Sequence, residues 1–214
     1  MEDIVNRKGV KMKRKKEGSY LVCGKGINDY EGAVTCNGVM MLEYDLWKAM
    51  LRRCYVLGDK RKTYVGCSVE DYLLSFENFR NFIKTLKGFN CRDNNGQLFH
   101  LDKDLLLKGN KQYNRDTICF IPTYLNSFIT KANARRGELP VGVYLDKRSG
   151  KFKSQLSIDG TQIFLGRFDT EIEAFLAYKQ AKENRAKELA EIWKDFVDSR
   201  VYKALMEYEV SVDD

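Results

Sequence analysis

The spacing of apolar residues changes period several times along the chain, and each change marks an element. From Gly18 to Met41, GSYLVCGKGINDYEGAVTCNGVMM breaks valine, tyrosine and threonine with glycines, a pattern of short strands and turns. In EYDLWKAMLRRCYV, Trp47, Met50, Leu51 and Cys54 then fall at i, i+3, i+4 and i+7, one face of a helix, with Arg52 and Arg53 pointing away from it. Ser68 is placed to cap a second helix starting at Val69, with Asp71 in a first turn where the helix dipole favours an acid. Tyr72, Phe76, Phe79, Ile83 and Leu86 continue it as a core stripe, and GFNCRDNNGQ follows as a loop.

In LFHLDKDLL a period of two puts His100, Asp102 and Asp104 on one strand face and Leu101, Lys103 and Leu105 on the other. LKGNKQYNRDT is a polar turn in which Asn110 can take the positive φ of a Gly-Asn pair. ICFIP is a short buried strand, and Pro122 is a permitted first-turn residue for the helix TYLNSFITKA. Leu125, Phe128 and Ile129 form that helix's buried side, which leaves Asn126 to face the strands. The order is therefore strand, loop, strand, helix.

Beyond ANARRGELP, a linker by its Gly137 and Pro140, the pattern differs. GVYLDKRSGKFKSQLSIDGTQIFLGRF predicts three short strands separated by the turns KRSG and DGT. Thr170 with Glu173 makes a capping box for a long helix that starts at Glu171 and extends past Trp193. On the second strand Phe152, Leu156 and Ile158 face that helix, with Ser154 small enough for close packing near Ala174, Ala177 and Ala181. Lys151, Lys153, Gln155 and Ser157 then occupy an open face. The final MEYEVSVDD is acidic and predicts a solvent-facing terminus.

Composition narrows the class. With 43% hydrophobic residues in 214, the chain can bury a core as one compact domain or two small ones. It has no apolar run near the roughly 20 residues needed to span a bilayer, and its start, MEDIVNRKGVKMKRKK, is charged where a signal peptide is apolar. These features predict a cytoplasmic protein with no membrane partner. Six cysteines without a CxxC pair predict reduced thiols. Net charge is +7, and the basic run Arg7, Lys8, Lys11, Lys13, Arg14, Lys15 and Lys16 concentrates much of it near the start. Such a tail adds salt-sensitive phosphate contacts without reading sequence.

Two carboxylates on a strand and an amide oxygen on the following helix are hard oxygen donors suited to a divalent cation. In that order His100–Asn126 resembles the ββα-metal core of HNH-type endonucleases, especially phage-encoded, homing-endonuclease-like members. The resemblance implies Mg2+ or Mn2+ on Asp104 and Asn126, with Asp102 as the competing strand ligand and Asn110 or Asn114 as the loop asparagine. No histidine stands beside Asp104, where Lys103 and Leu105 are, so the core is degenerate in this respect. The base would be His100, if the strand bends it toward the metal, or Asp102, a weak base at neutral pH unless its environment shifts it.

Gly142-Val143, Gly150-Lys151-Phe152, Leu165-Gly166-Arg167-Phe168-Asp169-Thr170, Glu173-Ala174 and Ala177-Tyr178 together resemble the AP2 DNA-binding domain of plant transcription factors and phage HNH proteins. The resemblance implies a three-stranded antiparallel sheet on a helix, its open face entering the major groove of double-stranded DNA. Tyr144, Lys147, Lys151, Lys153, Gln155, Ser157 and Gln162 are the implied DNA contacts. Plant members carry arginines and tryptophans on this face, so lysine, glutamine and serine here imply looser sequence preference.

The expected fold class is α+β. Residues 1–18 form a basic tail, 19–134 an HNH-like ββα-metal domain, 141–198 an AP2-like domain and 199–214 an acidic extension; residues 19–40 carry no assignable motif. The expected function is a phage-type, metal-dependent DNA endonuclease, a hydrolase that nicks double-stranded DNA in the host cell cytoplasm. The alternative is a catalytically inactive DNA-binding or anti-defence protein, with a host protein as partner, built on such a nuclease.

Overall fold

The computed structural model describes residues 21–56, 64–129, 139–158 and 160–212, and its fold is α+β. The expected basic tail, most of the expected linker and Asp159 of the DGT turn lie outside the described residues. The chain divides into two compact units: unit 1 is Met1–Thr85 with Asn110–Asp116, and unit 2 is Leu86–Gly109 with Thr117–Asp214.

Unit 1 opens with a hairpin, β1 (Thr35–Cys36) and β2 (Val39–Met40), followed by α1 (Leu42–Tyr55). The side chains buried along α1 are Trp47, Met50, Leu51 and Cys54, the four that the helical spacing selects. The indole of Trp47 is fully buried, and its Nε1–H donates to Leu73 O at 2.9 Å, which satisfies its one polar group.

The second helix differs from expectation. Ser68–Val69 is a strand, β3, not a helix cap, because its backbone is drawn into a parallel ladder: Ser68 N–H donates to Lys111 O at 2.8 Å and Glu70 N–H to Tyr113 O at 2.9 Å. Helix follows as two pieces, α2 (Asp71–Leu74) and α3 (Phe76–Ile83). They are split at Ser75, whose Oγ accepts from Asn78 N–H as the cap of α3 and donates to Asp29 Oδ2 at 2.6 Å. The break shifts the helical phase, so Leu73 is buried in place of Tyr72. Phe76, Phe79 and Ile83 remain in the core, while Leu86 lies beyond α3 and is half-buried. Tyr72 instead lies on the surface under the Arg115 guanidinium, 4.3 Å from its ring centre, and Arg115 pairs with Glu70 at 2.7 Å.

Three short strands come next: β4 (His100–Asp102), β5 (Gln112–Tyr113) and β6 (Cys119–Ile121). β5 belongs to unit 1 and pairs with β3, in the register Ser68 with Gln112 and Val69 with Tyr113. In unit 2, β4 and β6 pair antiparallel, His100 with Ile121, Leu101 with Phe120 and Asp102 with Cys119. Helix α4 (Thr123–Ile129) follows directly, burying Leu125 and Phe128 while Ile129 is only half-buried.

The rest of unit 2 is a three-stranded antiparallel sheet of β7 (Val143–Asp146), β8 (Lys151–Ile158) and β9 (Thr161–Phe168), packed against the 23-residue helix α5 (Glu171–Trp193). The capping box forms as the sequence predicts: Glu173 N–H donates to Thr170 Oγ1 at 3.2 Å and Thr170 N–H to Glu173 Oε2 at 3.1 Å. Between sheet and helix, Val143, Leu156, Ala174, Phe175 and Tyr178 form a core with Phe152, Ile158 and Leu165 at its margin. Burying a side chain such as Leu156 contributes roughly 1.5–3 kcal/mol.

Helix α5 stops at Trp193, short of the expected extension, in a turn where Phe196 and Val197 N–H both return to Trp193 O. Asp198 then caps a further helix, α6 (Ser199–Met206), by accepting from Arg200 N–H at 2.8 Å. The acidic terminus is not wholly solvent-facing. Val210 joins the sheet–helix core, its N–H donating to Glu183 and its carbonyl accepting from Lys179 Nζ at 2.9 Å. Within the same unit the rings of Phe99 and Trp193 meet edge-on at 5.7 Å, Arg200 Nη2 donates to Ile118 O, and Lys182 Nζ lies 5.1 Å from the Phe128 ring centre, so the residues just before β4 and β6, together with α4, share packing with α5 and α6. Among the described residues, no helix is long and apolar enough to cross a membrane.

Candidate nucleic-acid interface

The open face of the β7–β9 sheet follows from register. Tyr144 on β7 pairs with Lys153 on β8, which pairs with Arg167 on β9, giving a cross-strand row of an aromatic ring and two cations. Further along the same face Gln155 is opposite Phe164 and Ser157 opposite Gln162, while Asp146 is opposite Lys151. Tyr144 and Phe164 are each about half exposed, at 53% and 51%. Lys147 and Arg148 stand exposed in the turn between β7 and β8. All seven residues expected to contact DNA thus lie on this face or in its bordering turn.

Three members were missed: Asp146, Phe164 and Arg167. Strict alternation from Gln162 and Phe164 would put Gly166 and Phe168 on the open face and Arg167 against the helix. The register shifts between Ser154 and Gln155, and Leu165 becomes the extra residue of a bulge, so Arg167 emerges on the same side as Phe164 three positions earlier. A glycine inside a strand, here Gly166, is the available sequence sign of such a bulge.

The electrostatics of this face centre on Asp146. Its Oδ2 takes Lys153 Nζ at 3.0 Å and Arg167 Nε at 3.3 Å, and its Oδ1 accepts Arg148 N–H at 3.2 Å. Lys153, followed by the Arg148 N–H, holds this carboxyl down to about 2 against the opposing effect of burial. Arg167 also lies over the Phe164 ring, 5.4 Å from its centre, and Lys151 pairs with Asp169 at 2.9 Å.

The strand–loop–strand–helix segment places the other expected residues. Strand β4 ends at Asp102 because its carboxylate turns the chain: Oδ1 accepts Asp104 N–H at 3.1 Å and Leu105 N–H at 2.8 Å. Burial, aided by the neighbouring Asp104 charge, pushes the Asp102 carboxyl upward, and these N–H groups oppose the shift. Asp104 is exposed and ion-paired with Lys103, whose side chain is buried. His100 is exposed on β4, and Asn126 is half-buried on α4 with its N–H in the helix ladder to Pro122 O.

Asn110 falls in unit 1, whereas His100, Asp102, Asp104 and Asn126 fall in unit 2. Its amide clamps the start of β5, Nδ2 donating to Gln112 O at 2.7 Å and Oδ1 accepting Gln112 N–H at 3.0 Å. The positive φ of this turn belongs to Gly109, at 78°, not to Asn110. Asn114 makes a similar local turn, accepting Asp116 N–H at 3.0 Å.

As arranged, one oxygen of each carboxylate is already engaged. Asp102 Oδ1 is committed to two backbone donors, and Asp104 Oδ1 already holds an ammonium. Among the described residues, no group of three or more His, Cys, Asp or Glu is placed to hold a metal ion. No protein-family model, no curated protein and no solved structure matches this chain.

Proposed function

We propose that the protein binds double-stranded DNA through the open face of the β7–β9 sheet, in the manner of an AP2-like domain, without hydrolysing it. The observation that carries this reading is the cross-strand row Tyr144–Lys153–Arg167, bordered by Gln155, Ser157 and Gln162. A twisted antiparallel sheet of this width suits the major groove, where glutamine matches adenine and lysine or arginine matches guanine or phosphate. The test is fluorescence anisotropy on a labelled mixed-sequence duplex at low salt, with wild type beside Lys153→Ala combined with Gln155→Ala. Tight, steeply salt-dependent binding that the double variant weakens supports the reading. Equal binding by both proteins rejects this face as the docking surface.

A second reading is Mg2+- or Mn2+-dependent nicking of DNA by the β4–β6–α4 segment of an HNH-like protein. The order of those elements, with Asp102 at the strand end, Asp104 two residues beyond it and Asn126 on the helix, favours it. It requires Asp104 to exchange its Lys103 partner for the cation. Supercoiled-plasmid nicking with magnesium, manganese or a chelator, in wild type, Asp104→Ala, Asn126→Ala and His100→Ala, separates the two readings. Metal-dependent nicking lost in the variants would establish the second. Intact plasmid under conditions of demonstrable binding supports the first.

A further inference from the structure

Asp146, the last residue of the edge strand β7, is an unexpected residue to find on a face proposed to meet nucleic acid. Its side chain is 12% exposed and is held from three directions, by Lys153 Nζ, Arg167 Nε and the Arg148 N–H. A carboxylate fixed there does two things at once. It offsets part of the charge of the two central cations and repels an approaching phosphate. It also occupies Nε of Arg167, while the Phe164 ring lies under the guanidinium. What remains of Arg167 for a ligand is its Nη fork, the end that matches the O6 and N7 acceptors of guanine.

We propose that Asp146 is a positioning residue that sets specificity: it orients Arg167 toward a guanine edge in the major groove and suppresses indiscriminate attraction of Lys153 and Arg167 to phosphate. The inference rests on the duplex-docking reading above. It assigns to this acid a role opposite to that of the surrounding bases, since removing it strengthens non-specific binding and blunts discrimination. A purely structural role in the β7–β8 turn predicts neither effect.

Asp146→Asn is the informative substitution, because the amide Oδ1 can still accept the Arg148 N–H and the turn is kept. Anisotropy titrations of the full chain on a mixed-sequence duplex, over a range of salt, give affinity and salt slope. A round of selection from a randomised duplex pool, scored by enrichment of guanine-containing sites, gives discrimination.

For Asp146→Asn, low-salt affinity is expected to rise about tenfold and the log–log salt slope to steepen by about one to two, as the released cations take up phosphate contacts. Guanine enrichment is expected to fall. Adding Arg167→Gln to Asp146→Asn should return part of the slope. Unchanged affinity and slope, or weaker binding with enrichment retained, overturns the inference while leaving duplex docking in place. Failure of wild type itself to bind at low salt overturns the docking reading and this inference with it.

Discussion

Gly142 lies flat against the ring of Tyr178: a methyl group on its α-carbon would stand 2.0 Å from Cδ2 and 2.4 Å from Cγ. Its φ of +77° is also one that L side chains rarely adopt. Gly142→Ala therefore meets two penalties, a backbone cost of about 1–2 kcal/mol and an overpacking cost of about 1–3 kcal/mol. Urea denaturation should show a loss of about 2–5 kcal/mol on these grounds, and Tyr178→Leu in the same chain should recover part of it.

Ser154 is wholly buried against α5, and its hydroxyl has no hydrogen-bond partner among the described residues. An unpaired buried hydroxyl carries a desolvation cost with nothing to offset it. Ser154→Ala should be neutral or stabilising by up to about 1 kcal/mol. Ser154→Leu adds volume between β8 and the alanines of α5, and should destabilise by about 1–3 kcal/mol in the same measurement.

Asp102 gives a pH-dependent prediction. Its carboxyl titrates above the ordinary range because it is desolvated, so the folded protein keeps the proton over a window in which the unfolded chain releases it. Stability from this group is present below that window and lost as pH rises through it. Asp102→Asn keeps the Oδ1 acceptor for Asp104 and Leu105 and removes the desolvated charge. It should be more stable than wild type at pH 7, with the difference shrinking at pH 3. Asp102→Ala removes both acceptor contacts together with the charge, and should lose about 1–2 kcal/mol at pH 3 and less at pH 7.

The sequence made the sheet–helix half legible because its signals are local. The alternation of β8, the Thr170–Glu173 box and the small residues of α5 each act within a few positions, and each sets an element in place. Trp47 to Cys54 was legible for the same reason. The Ser68 region was not, since a serine before an acid reads as a cap unless the partner strand at Gln112, far along the chain, is known. Arg167 was hidden by a one-residue bulge that reverses face parity. At the strand–loop–strand–helix segment the order of elements could be read. The occupation of Asp102 by the backbone and of Asp104 by Lys103 depends on where the chain bends after residue 102, and no periodicity encodes that bend.

The parallel pairing of β5 with β3 makes the connectivity of this protein a stitch instead of a boundary. The backbone leaves unit 1 after Thr85, re-enters it at Asn110 to lay down two residues of ladder, and leaves again after Asp116. A protein trimmed to begin at residue 86 would retain Tyr113, 2% exposed in the whole chain, without the strand that covers it. One trimmed to end at 85 would leave the backbone groups of β3 unpaired. Any cut of the chain that treats residue 85 as a seam would thus part the two strands of one ladder, Ser68–Val69 and Gln112–Tyr113.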